Sequence, residues 1–381
     1  MKIITVIGAR PQIIKAAAIS REILKNYSNK IEEVIVHTGQ HYDQNMSEIF
    51  FDELNIPRPN YNLNVGSSSH AVQSAKMIEG LEKILLNENP KYILLYGDTN
   101  STLAGAIAAS KMNIPIVHVE AGLRSYNRKM PEEINRIVCD HLSTLLFSPT
   151  LTGYNNLIKE GFNPNNTKKH TPDNPGIFHC GDIMYDNSLH FAQLSEEKSN
   201  ILKDYNLVSN KFILTTIHRD YNTDIQENLC SIFKALLKIS DEYKIVLPLH
   251  PRTKNKLNGI DDRDLYYSIF NNENLLIIPP TSFLDMLALE KSSKMVITDS
   301  GGVQKEAYFF NKPCVILRPE TEWVEILETG KAKLTSANYN DIMIAYNGFN
   351  EDKLEKFPQI FGCGEASQFI CNVIFTNQKE L

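Results

Sequence analysis

The stretch ITDSGGVQKE, residues 297–306, passes from a short apolar run through a Ser-Gly-Gly turn into a segment with helical spacing. Val303 in this stretch and Ala307 and Phe310 just after it lie at i, i+4 and i+7, so they form one apolar face of a helix. Glycines let the backbone approach a ligand closely, and the free N–H groups at a helix start favour an anion. The stretch therefore predicts a strand, a phosphate-binding turn and a helix. The alternative is an ordinary capped helix start with a turn glycine.

The same alternation of a short apolar run and an amphipathic stretch recurs along the chain. The runs are mostly apolar on both faces and end in Gly, Asp, His or Pro, which is typical of buried parallel strands joined by helical crossovers. Such sheets bind ligands beyond the carboxyl ends of their strands, where the polar residues cluster here. The runs are IITVIG (3–8), EEVIVHTG (32–39), YILLYGD (92–98), IPIVHVEAG (114–122), TLLFSPT (144–150), FILTTIHR (212–219), KIVLPLHP (244–251), NLLIIPP (274–280), KMVITDSGG (294–302) and KPCVILRP (312–319).

At 381 residues the chain exceeds the usual single domain, so two doubly wound α/β domains are predicted. The apolar runs pause between residues 151 and 211, around the Pro- and Asn-rich stretch NPNNTKKHTPDNPG. We place the junction near Gly181–Asp186 and predict an N-terminal domain over residues 1–182 and a second over 183–360. A C-terminal helix within 361–381 can pack on either domain. Two such domains facing each other leave a cleft for a ligand.

Composition excludes several classes of function. The net charge is −6 with a pI near 6.0, and the basic residues are scattered, which argues against a nucleic-acid or anionic-membrane surface. The six cysteines form no C-x-x-C pair, as expected of reduced thiols in a cytoplasmic protein, and no apolar segment approaches about 18 residues. Since G-x-G-x-x-G, Walker A, H-E-x-x-H and G-x-S-x-G motifs are absent, we expect no dinucleotide, ATP or zinc site, no metal and no cofactor.

Basic residues follow the first predicted strand in GARPQIIK. Pro11 suits the first position of a helix, and Arg10 and Lys15 lie within about a turn of its start. Two cations at the carboxyl end of a strand can neutralise phosphate. The alternative is a solvated basic pair.

Carboxylates follow the neighbouring strands of the first half, in GDTNST (97–102), HVEAGLRS (118–125) and MPEEINR (130–136). Carboxylates that share a cleft can have their pKa values pushed apart, which provides one base and one acid. Helix capping or surface ion pairing is the alternative, and Glu132 can pair with Arg136 at i, i+4. The acid/base candidates are Asp98, Glu120, Glu132 and Glu133.

Histidine and arginine end the first strands of the second half, in TTIHRDYN and PLHPRT. Such histidines can donate to phosphate or transfer protons near neutral pH, or they can be structural. The candidates are His218, Arg219, His250 and Arg252, and LRPETEWVE adds Arg318, Thr321 and Glu322.

Eight spaced motifs, read together, resemble the non-hydrolysing UDP-N-acetylglucosamine 2-epimerase family. They are GARPQ..K, HTGQHYD, GDTNSTLAGA, HVEAGLRS, MPEEINR, IHR..NTD, HPRT and TDSGGVQKEA, and they run from the first strand towards the C-terminal GCGEAS. The resemblance implies the GT-B architecture, which has two Rossmann-like domains, an active site between them and a C-terminal helix that returns to the first domain. It also implies a homodimer and a role in surface polysaccharide precursors.

The resemblance assigns roles residue by residue. It implies that Arg10, His218, Ser300, Gly301 and Gly302 hold a diphosphate, Glu306 the ribose hydroxyls and the backbone around Met286 the uracil. It makes Asp98, Glu120 and Glu132 the catalytic acid/base candidates together with His218, supported by Lys15, Arg136 and Arg318. The expected reaction inverts carbon 2 of a UDP-2-acetamido sugar by elimination and re-addition of UDP.

Two departures bear on the substrate. GARPQ and the short segment GLRSYNRKMPEEINR look more like the branch that epimerises UDP-2,3-diacetamido-2,3-dideoxy-glucuronate. Arg128 and Lys129 would then face the uronate carboxylate, or else form a solvated charge pair. Some relatives are activated by UDP-N-acetylglucosamine at the region that matches Gln40 and His41. A GT-B glycosyltransferase, a hydrolysing 2-epimerase and an inactive nucleotide-sugar sensor are the rival functions.

Overall fold

The computed structural model describes residues 1–40, 57–351 and 356–379, which form two compact units. Unit 1 comprises Met1–Asn187 and Gln359–Leu381, and unit 2 comprises Ser188–Pro358. Each unit is built on a parallel sheet whose strands are joined through helices. The predicted α/β class with two parallel-sheet domains is confirmed.

Among the described residues, the sheet of unit 1 has seven strands in the order β3-β2-β1-β4-β5-β6-β7. The strands are β1 (Lys2–Ile7), β2 (Glu32–His37), β3 (Tyr61–Asn62), β4 (Tyr92–Tyr96), β5 (Ile116–Val119), β6 (Leu145–Ser148) and β7 (Gly176–His179). The helices that the structure describes before β7 are α1 (Arg10–Glu22), continued by a π-helical turn (Ile23–Tyr27), α2 (His70–Glu88), α3 (Asn100–Lys111), α4 (Pro131–Leu142) and α5 (Leu151–Lys159). The register runs in parallel along each pair, for example from Ile3 beside Glu33 to Ile7 beside His37.

Unit 2 repeats the plan with six strands in the order β10-β9-β8-β11-β12-β13. Helices α6 (Ile183–Lys198) and α7 (Ile201–Asp204) precede the strands β8 (Phe212–Thr216), β9 (Lys244–Pro248), β10 (Leu275–Ile278), β11 (Met295–Thr298), β12 (Cys314–Ile316) and β13 (Ala332–Leu334). The other helices are α8 (Asp220–Thr223), α9 (Gln226–Ile239), α10 (Pro251–Asn258), α11 (Arg263–Asn271), α12 (Phe283–Ser292), α13 (Gly301–Phe309), α14 (Val324–Glu328) and α15 (Tyr339–Glu351). The last helix, α16 (Ala366–Lys379), belongs to unit 1.

Local sequence explains where many helices begin. Proline stands in the first turn of α1, α4 and α10, where its missing N–H costs no hydrogen bond. Side-chain oxygens cap five others by accepting a backbone N–H, as expected of Ser, Thr and Asp at the position before a helix. The capping residues are Thr99, Thr150, Asp262, Ser282 and Ser300.

Each unit has its own apolar core. In unit 1, strands β1, β4 and β5 contribute Ile4, Val6, Leu95 and Ile116, which pack against α2 and α3. In unit 2, residues of β8, β9 and β11 pack against α9 and α15, with Phe233 and Tyr346 nearly inaccessible. Burying such side chains contributes roughly 1.5–3 kcal/mol each, so the two cores hold the sheet edges rigidly in place.

All ten apolar runs form strands, as predicted. In the described ranges, three strands were missed, namely β3, β7 and β13, which are edge strands of two to four residues each. β7 shows that the expected pause between residues 151 and 211 is wrong. Its sequence, GIFH, is too short for a periodic signal and follows a Pro- and Asn-rich loop.

The boundary between the units lies after Asn187, within helix α6. In α16, Ile370 and Ile374 are both buried, and the helix packs against α1 in unit 1. Among the helices of the described ranges, none has the length and apolarity required to cross a membrane. All six cysteines are free thiols.

Candidate active site

Several predicted site residues lie at the points where the strand order reverses. In unit 1 this point lies between β1 and β4, and in unit 2 it lies between β8 and β11. The two strands on either side send their connections to opposite faces of the sheet, which opens a crevice at their carboxyl ends. Arg10 and Asp98 follow the first pair of strands, and His218 and Ser300 follow the second.

The Ser-Gly-Gly turn of unit 2 forms the start of helix α13, as the sequence predicted. The Ser300 side chain caps the helix by accepting from the backbone N–H of Val303, 3.5 Å away. A β-carbon added to Gly301 would lie 2.3 Å from the Glu322 carboxylate, whereas one added to Gly302 would meet only Ser300 Oγ at 4.0 Å. Glu322 in turn pairs with Arg318 at 2.8 Å. Glycine at 301 therefore leaves room for the Arg318–Glu322 pair beside the helix start.

Asp299 ties the His218 loop to this turn. His218 Nδ1 lies 3.2 Å from Asp299 Oδ1, and Asp299 Oδ2 accepts the backbone N–H groups of His218 and Arg219, each at 3.0 Å. Asn222 donates to the same oxygen at 3.0 Å and to Leu317 O at 2.8 Å. Burial alone would raise the pKa of Asp299, but the hydrogen bonds and the charge of His218 outweigh it and lower that pKa. An ionised, buried carboxylate thus fixes the orientation of the imidazole.

Two glutamates meet between helices α12 and α13. Glu290 is fully buried, and within the described part of the chain its carboxylate oxygens accept no ordinary donor. Its side chain instead contacts the carboxyl group of Glu306. Burial, and then the charge of Glu306, raise the pKa of Glu290 well above its ordinary value. Burial and the neighbouring carboxyl group therefore both favour the protonated form of Glu290. Met286 lies on the same helix as Glu290 and is half-buried.

In unit 1 the carboxylates are paired with cations. Lys15 forms a close ion pair with Glu120, and both side chains are only 12% exposed. Arg136 forms a close pair with Asp98 and a second one with Glu133 at 3.0 Å. Burial alone would lower the pKa of Lys15, but Glu120, Asp98 and Asp182 outweigh it and raise that pKa. Lys15 therefore stays charged among three carboxylates.

The backbone beside these acids is unusual. Glu120 has a φ of +77°, a conformation that costs a non-glycine residue energy and is concentrated at functional sites. Gly97, which precedes Asp98, has a φ of +61°. Two turns with left-handed residues thus present Asp98 and Glu120 at the ends of adjacent strands, β4 and β5.

The two glutamates at the start of α4, Glu132 and Glu133, lie in different environments. Glu133 is buried and accepts the backbone N–H groups of Ser125 and Tyr126 at 2.9 and 2.8 Å, so it organises the preceding loop. Burial opposes ionisation, but these hydrogen bonds and Arg136 lower the pKa of Glu133. Glu132 is exposed. The alternative of a Glu132–Arg136 ion pair is wrong, because Arg136 turns to Glu133 and Asp98 instead.

Arg10 is exposed at the first position of α1, next to Pro11. The loop before it is held by Gln12, whose side-chain oxygen accepts the backbone N–H groups of Gly8 and Ala9 at 2.9 and 3.2 Å. Gln12 is buried and also donates to Tyr96 O at 2.9 Å, which links the β1 loop to the end of β4. Sequence reasoning missed this residue because a glutamine carries no charge pattern.

The structure thus gathers the predicted residues in two groups, one in each unit. Unit 1 carries Arg10, Lys15, Asp98, Glu120, Glu132 and Arg136, and unit 2 carries His218, Met286, Ser300, Gly301, Gly302, Glu306 and Arg318. His41, in the expected activator region, lies outside the described residues. In the ranges that the structure covers, no group of three or more His, Cys, Asp or Glu side chains is arranged to hold a metal ion.

Comparison with known proteins gives consistent matches over the whole chain. The family described as UDP-N-acetylglucosamine 2-epimerase matches residues 24–375. A Methanococcus maripaludis protein called UDP-N-acetylglucosamine 2-epimerase homolog is 49% identical over 98% of this chain and 99% of its own length. The Pseudomonas aeruginosa UDP-2,3-diacetamido-2,3-dideoxy-D-glucuronate 2-epimerase is 43% identical with the same coverage. The crystal structure of Methanocaldococcus jannaschii UDP-GlcNAc 2-epimerase in complex with UDP-GlcNAc and UDP is 39% identical, with a TM-score of 0.78 over 99% of this chain and 100% of that one.

Proposed function

The chain belongs to the UDP-N-acetylglucosamine 2-epimerase family, and we propose that it inverts carbon 2 of a UDP-2-acetamido sugar without net hydrolysis. The observation that carries the proposal is the placement of Asp98 and Glu120 at the ends of adjacent strands, each paired with a cation. Inversion requires a proton to leave one face of carbon 2 and another to reach the opposite face. Two carboxyl groups on separate turns meet that requirement.

The chemistry explains why the nucleotide must be held strongly. Carbon 2 has no neighbouring carbonyl, so simple proton removal would leave an unstabilised carbanion. If the bond from carbon 1 to the diphosphate breaks as a carboxylate takes the carbon 2 proton, its electron pair leaves with UDP and a carbon 1–carbon 2 double bond forms. Re-addition of UDP to carbon 1, with a proton delivered to the other face of carbon 2, completes the inversion.

Unit 2 would hold the UDP portion. Backbone N–H groups at the start of α13 are suited to the diphosphate, and His218, oriented by Asp299, would add a donor. Glu306 would accept hydrogen bonds from the ribose hydroxyls, and the backbone near Met286 would contact the uracil. Arg318 would help to balance the negative charge of the diphosphate. Donors aimed at the departing diphosphate act mainly in the transition state and are each worth roughly 3 kcal/mol. Arg10 is a further candidate cation for the diphosphate.

Unit 1 would carry the sugar chemistry. Asp98 and Glu120 would be the acid and base, with Lys15 and Arg136 holding them in place and the exposed Glu132 as a further candidate. The 43% identical P. aeruginosa relative is named for a diacetamido uronate, and the M. jannaschii relative was solved with UDP-GlcNAc. Either sugar is therefore a proposed substrate, and a homodimer in the cytoplasm is the proposed setting.

The deciding experiment follows carbon 2 by NMR in deuterated water, with UDP-N-acetylglucosamine and the diacetamido uronate as separate substrates. An epimerase exchanges the carbon 2 hydrogen and forms the second epimer, with UDP-sugar retained. A glycosyltransferase leaves that hydrogen in place, and a hydrolysing enzyme accumulates UDP and free sugar. Asp98→Asn and Glu120→Gln should abolish exchange, whereas Glu79→Gln, at a 68% exposed position on α2, should not. Lack of exchange by the wild type on both substrates would refute the proposal.

A further inference from the structure

A buried histidine lies between the two turns that carry Asp98 and Glu120. His118 is on strand β5, two residues before Glu120, and is inaccessible to solvent. Its Nδ1 lies 2.7 Å from Asp140 Oδ1, and its Nε2 lies 2.7 Å from the carbonyl oxygen of Gly97. A carboxylate oxygen and a carbonyl oxygen both accept, so each ring nitrogen must carry a hydrogen. The geometry therefore requires a charged imidazolium in the interior of unit 1.

The charge of His118 is balanced by a buried network. Asp140, on helix α4, is also inaccessible, and its second oxygen lies 2.7 Å from the Arg124 guanidinium. Arg124 makes two further bonds of 2.7 Å to the Glu160 carboxylate. The groups that face His118 are thus Asp140 and Cys139 from α4, with Arg124 behind them. Burial alone would lower the pKa of His118, but Cys139 and Asp140 outweigh it and raise that pKa well above its ordinary value.

The network reaches the backbone on both sides of the proposed acids. The Gly97 carbonyl that His118 holds belongs to the peptide group leading directly to Asp98. Asp140 Oδ2 accepts the backbone N–H of Gly122, two residues after Glu120, at 3.1 Å. Gly97, Glu120 and Gly122 all have positive φ values. The two glycines adopt them without cost, but Glu120 does not, so its turn needs fixed points to hold an unfavourable backbone. His118 holds the turn before Asp98 through the Gly97 carbonyl, and Asp140 holds the turn after Glu120 through the Gly122 N–H.

We propose that His118 and Asp140 are positioning residues, a charged pair that sets the separation and direction of the carboxyl groups of Asp98 and Glu120. The inference rests on the proposed epimerase function. Both residues are inaccessible to solvent, so they would act on the sugar only through the turns that they hold. Buried ion pairs are costly to desolvate and add little to stability compared with apolar residues of the same volume. A fully buried charged pair at this place is therefore better explained by the site that it organises.

Two substitutions of His118 test the two hydrogen bonds of its imidazole one at a time. Asparagine places its amide nitrogen near the position of Nδ1 and can keep the bond to Asp140, but it cannot reach Gly97. Glutamine places its amide nitrogen near the position of Nε2 and can keep the bond to the Gly97 carbonyl. If the bond to Gly97 positions Asp98, His118→Asn should lower kcat about 10- to 100-fold with KM within about threefold, because misplacement by an ångström costs that much. His118→Gln should retain more of the activity.

A purely structural role gives a different pattern. Both variants would then lower the melting temperature, while kcat of the folded fraction would stay at the wild-type value in both. His179→Asn and His179→Gln, at an exposed histidine that ends β7, provide the matched controls. Free UDP and the unsaturated sugar should also escape more often per turnover in His118→Asn, since the returning proton comes from a displaced acid. Unchanged kcat and unchanged escape in His118→Asn would overturn the inference.

The charge of His118 can be tested without substrate. In the full-length protein labelled with ¹⁵N-histidine, the His118 ring signals are assigned by their loss in His118→Gln. Both nitrogens should remain protonated from about pH 6 to pH 8, although an ordinary histidine titrates near 6.5. A neutral ring in this range would overturn the charged pair. If the wild type exchanges no carbon 2 hydrogen, the epimerase proposal fails, but this NMR result still decides the charge of His118.

Discussion

Nδ1 of His218 lies 3.2 Å from Oδ1 of Asp299, and the same carboxylate accepts the backbone N–H groups of His218 and Arg219. The imidazole is therefore held through Nδ1. Its Nε2 is left to face a diphosphate and donates to it when the ring is doubly protonated. The His218 side chain is 36% exposed, whereas the Asp299 side chain is fully buried. The carboxylate that orients the imidazole therefore lies in the interior, and the imidazole itself reaches the surface. A substitution of Asp299 therefore tests the nucleotide site without altering any residue that is proposed to contact the nucleotide.

Asp299→Asn should weaken UDP binding by about tenfold, which is about 1.4 kcal/mol. In the wild type, the donors of His218 and Arg219 meet the carboxylate oxygens of Asp299. An asparagine replaces one of these oxygens with an NH₂ group, which cannot accept, so the His218 ring or the loop must turn. The measurement is isothermal titration of UDP. Asp241→Asn, at an exposed position of unit 2, is the control and should leave the affinity unchanged. Equal UDP affinity in Asp299→Asn and the wild type would contradict the role given to this carboxylate.

Lys15→Met should destabilise the protein by about 3 kcal/mol at neutral pH, because it leaves the buried Glu120 carboxylate without its cation. The raised pKa of Lys15 means that its contribution is complete below the ordinary lysine value of about 10.4 and is lost as pH rises through the folded value. Urea denaturation between about pH 7 and 9 should therefore show a constant difference between wild type and variant.

The double variant Lys15→Met with Glu120→Gln should recover most of the lost stability, since it removes both charges together. Additive losses in the double variant would show that the pair is not coupled. Lys83→Met, which breaks an exposed pair with Glu79, is the control and should cost less than about 0.5 kcal/mol.

Glu290 should make the stability of unit 2 depend on pH. Its folded pKa is raised, so its contribution is fully present below about 4.3, the ordinary value of a glutamate, and declines as pH rises through the folded value. Glu290→Gln keeps the size and a donor towards Glu306, so it should flatten this decline. Urea midpoints compared between about pH 5 and pH 9 provide the measurement. Glu227→Gln, at an exposed glutamate of α9, should keep the wild-type slope. An unchanged slope in Glu290→Gln would contradict the raised pKa of Glu290.

Arg128→Ala tests the choice of sugar. Arg128 and Lys129 are exposed on the segment whose start is fixed by Glu133 through Ser125 and Tyr126. If Arg128 faces a uronate carboxylate, its loss should raise KM for the diacetamido uronate by about tenfold, the effect of about 1.4 kcal/mol, and leave UDP-N-acetylglucosamine unaffected. Steady-state kinetics on both sugars provide the test, with Arg263→Ala on unit 2 as the control. An unaltered preference would leave Arg128 as a solvated charge.

The elements that sequence reasoning recovered are those with a long local signal. Apolar runs such as YILLY at β4 are buried on both faces, so composition alone reveals them. The short edge strands β3 and β13 lack that signal, because a strand of two or three residues is defined by the neighbour with which it pairs. The Ser-Gly-Gly turn was likewise visible, since glycine and a capping serine act within a few residues.

The partners of charged side chains could not be predicted from spacing along the chain. The sequence offered Glu132 as the partner of Arg136 because the two are four residues apart, yet Arg136 pairs with Asp98, which is 38 residues away. The charge of His118 depends on Asp140, 22 residues on, and on a carbonyl 21 residues back. No local pattern encodes such contacts.

Sequence by itself determined ten of the thirteen described strands, the helix starts after Ala9 and Ser300, the glycine turn and the family, because each depends on residues close together or on motifs in a fixed order. Only the tertiary structure decided which carboxylate is buried, which cation neutralises it and which histidine must be charged. The physical reason is that desolvation and Coulomb interactions depend on distance in space. Parallel sheets bring together the ends of strands that are far apart along the chain.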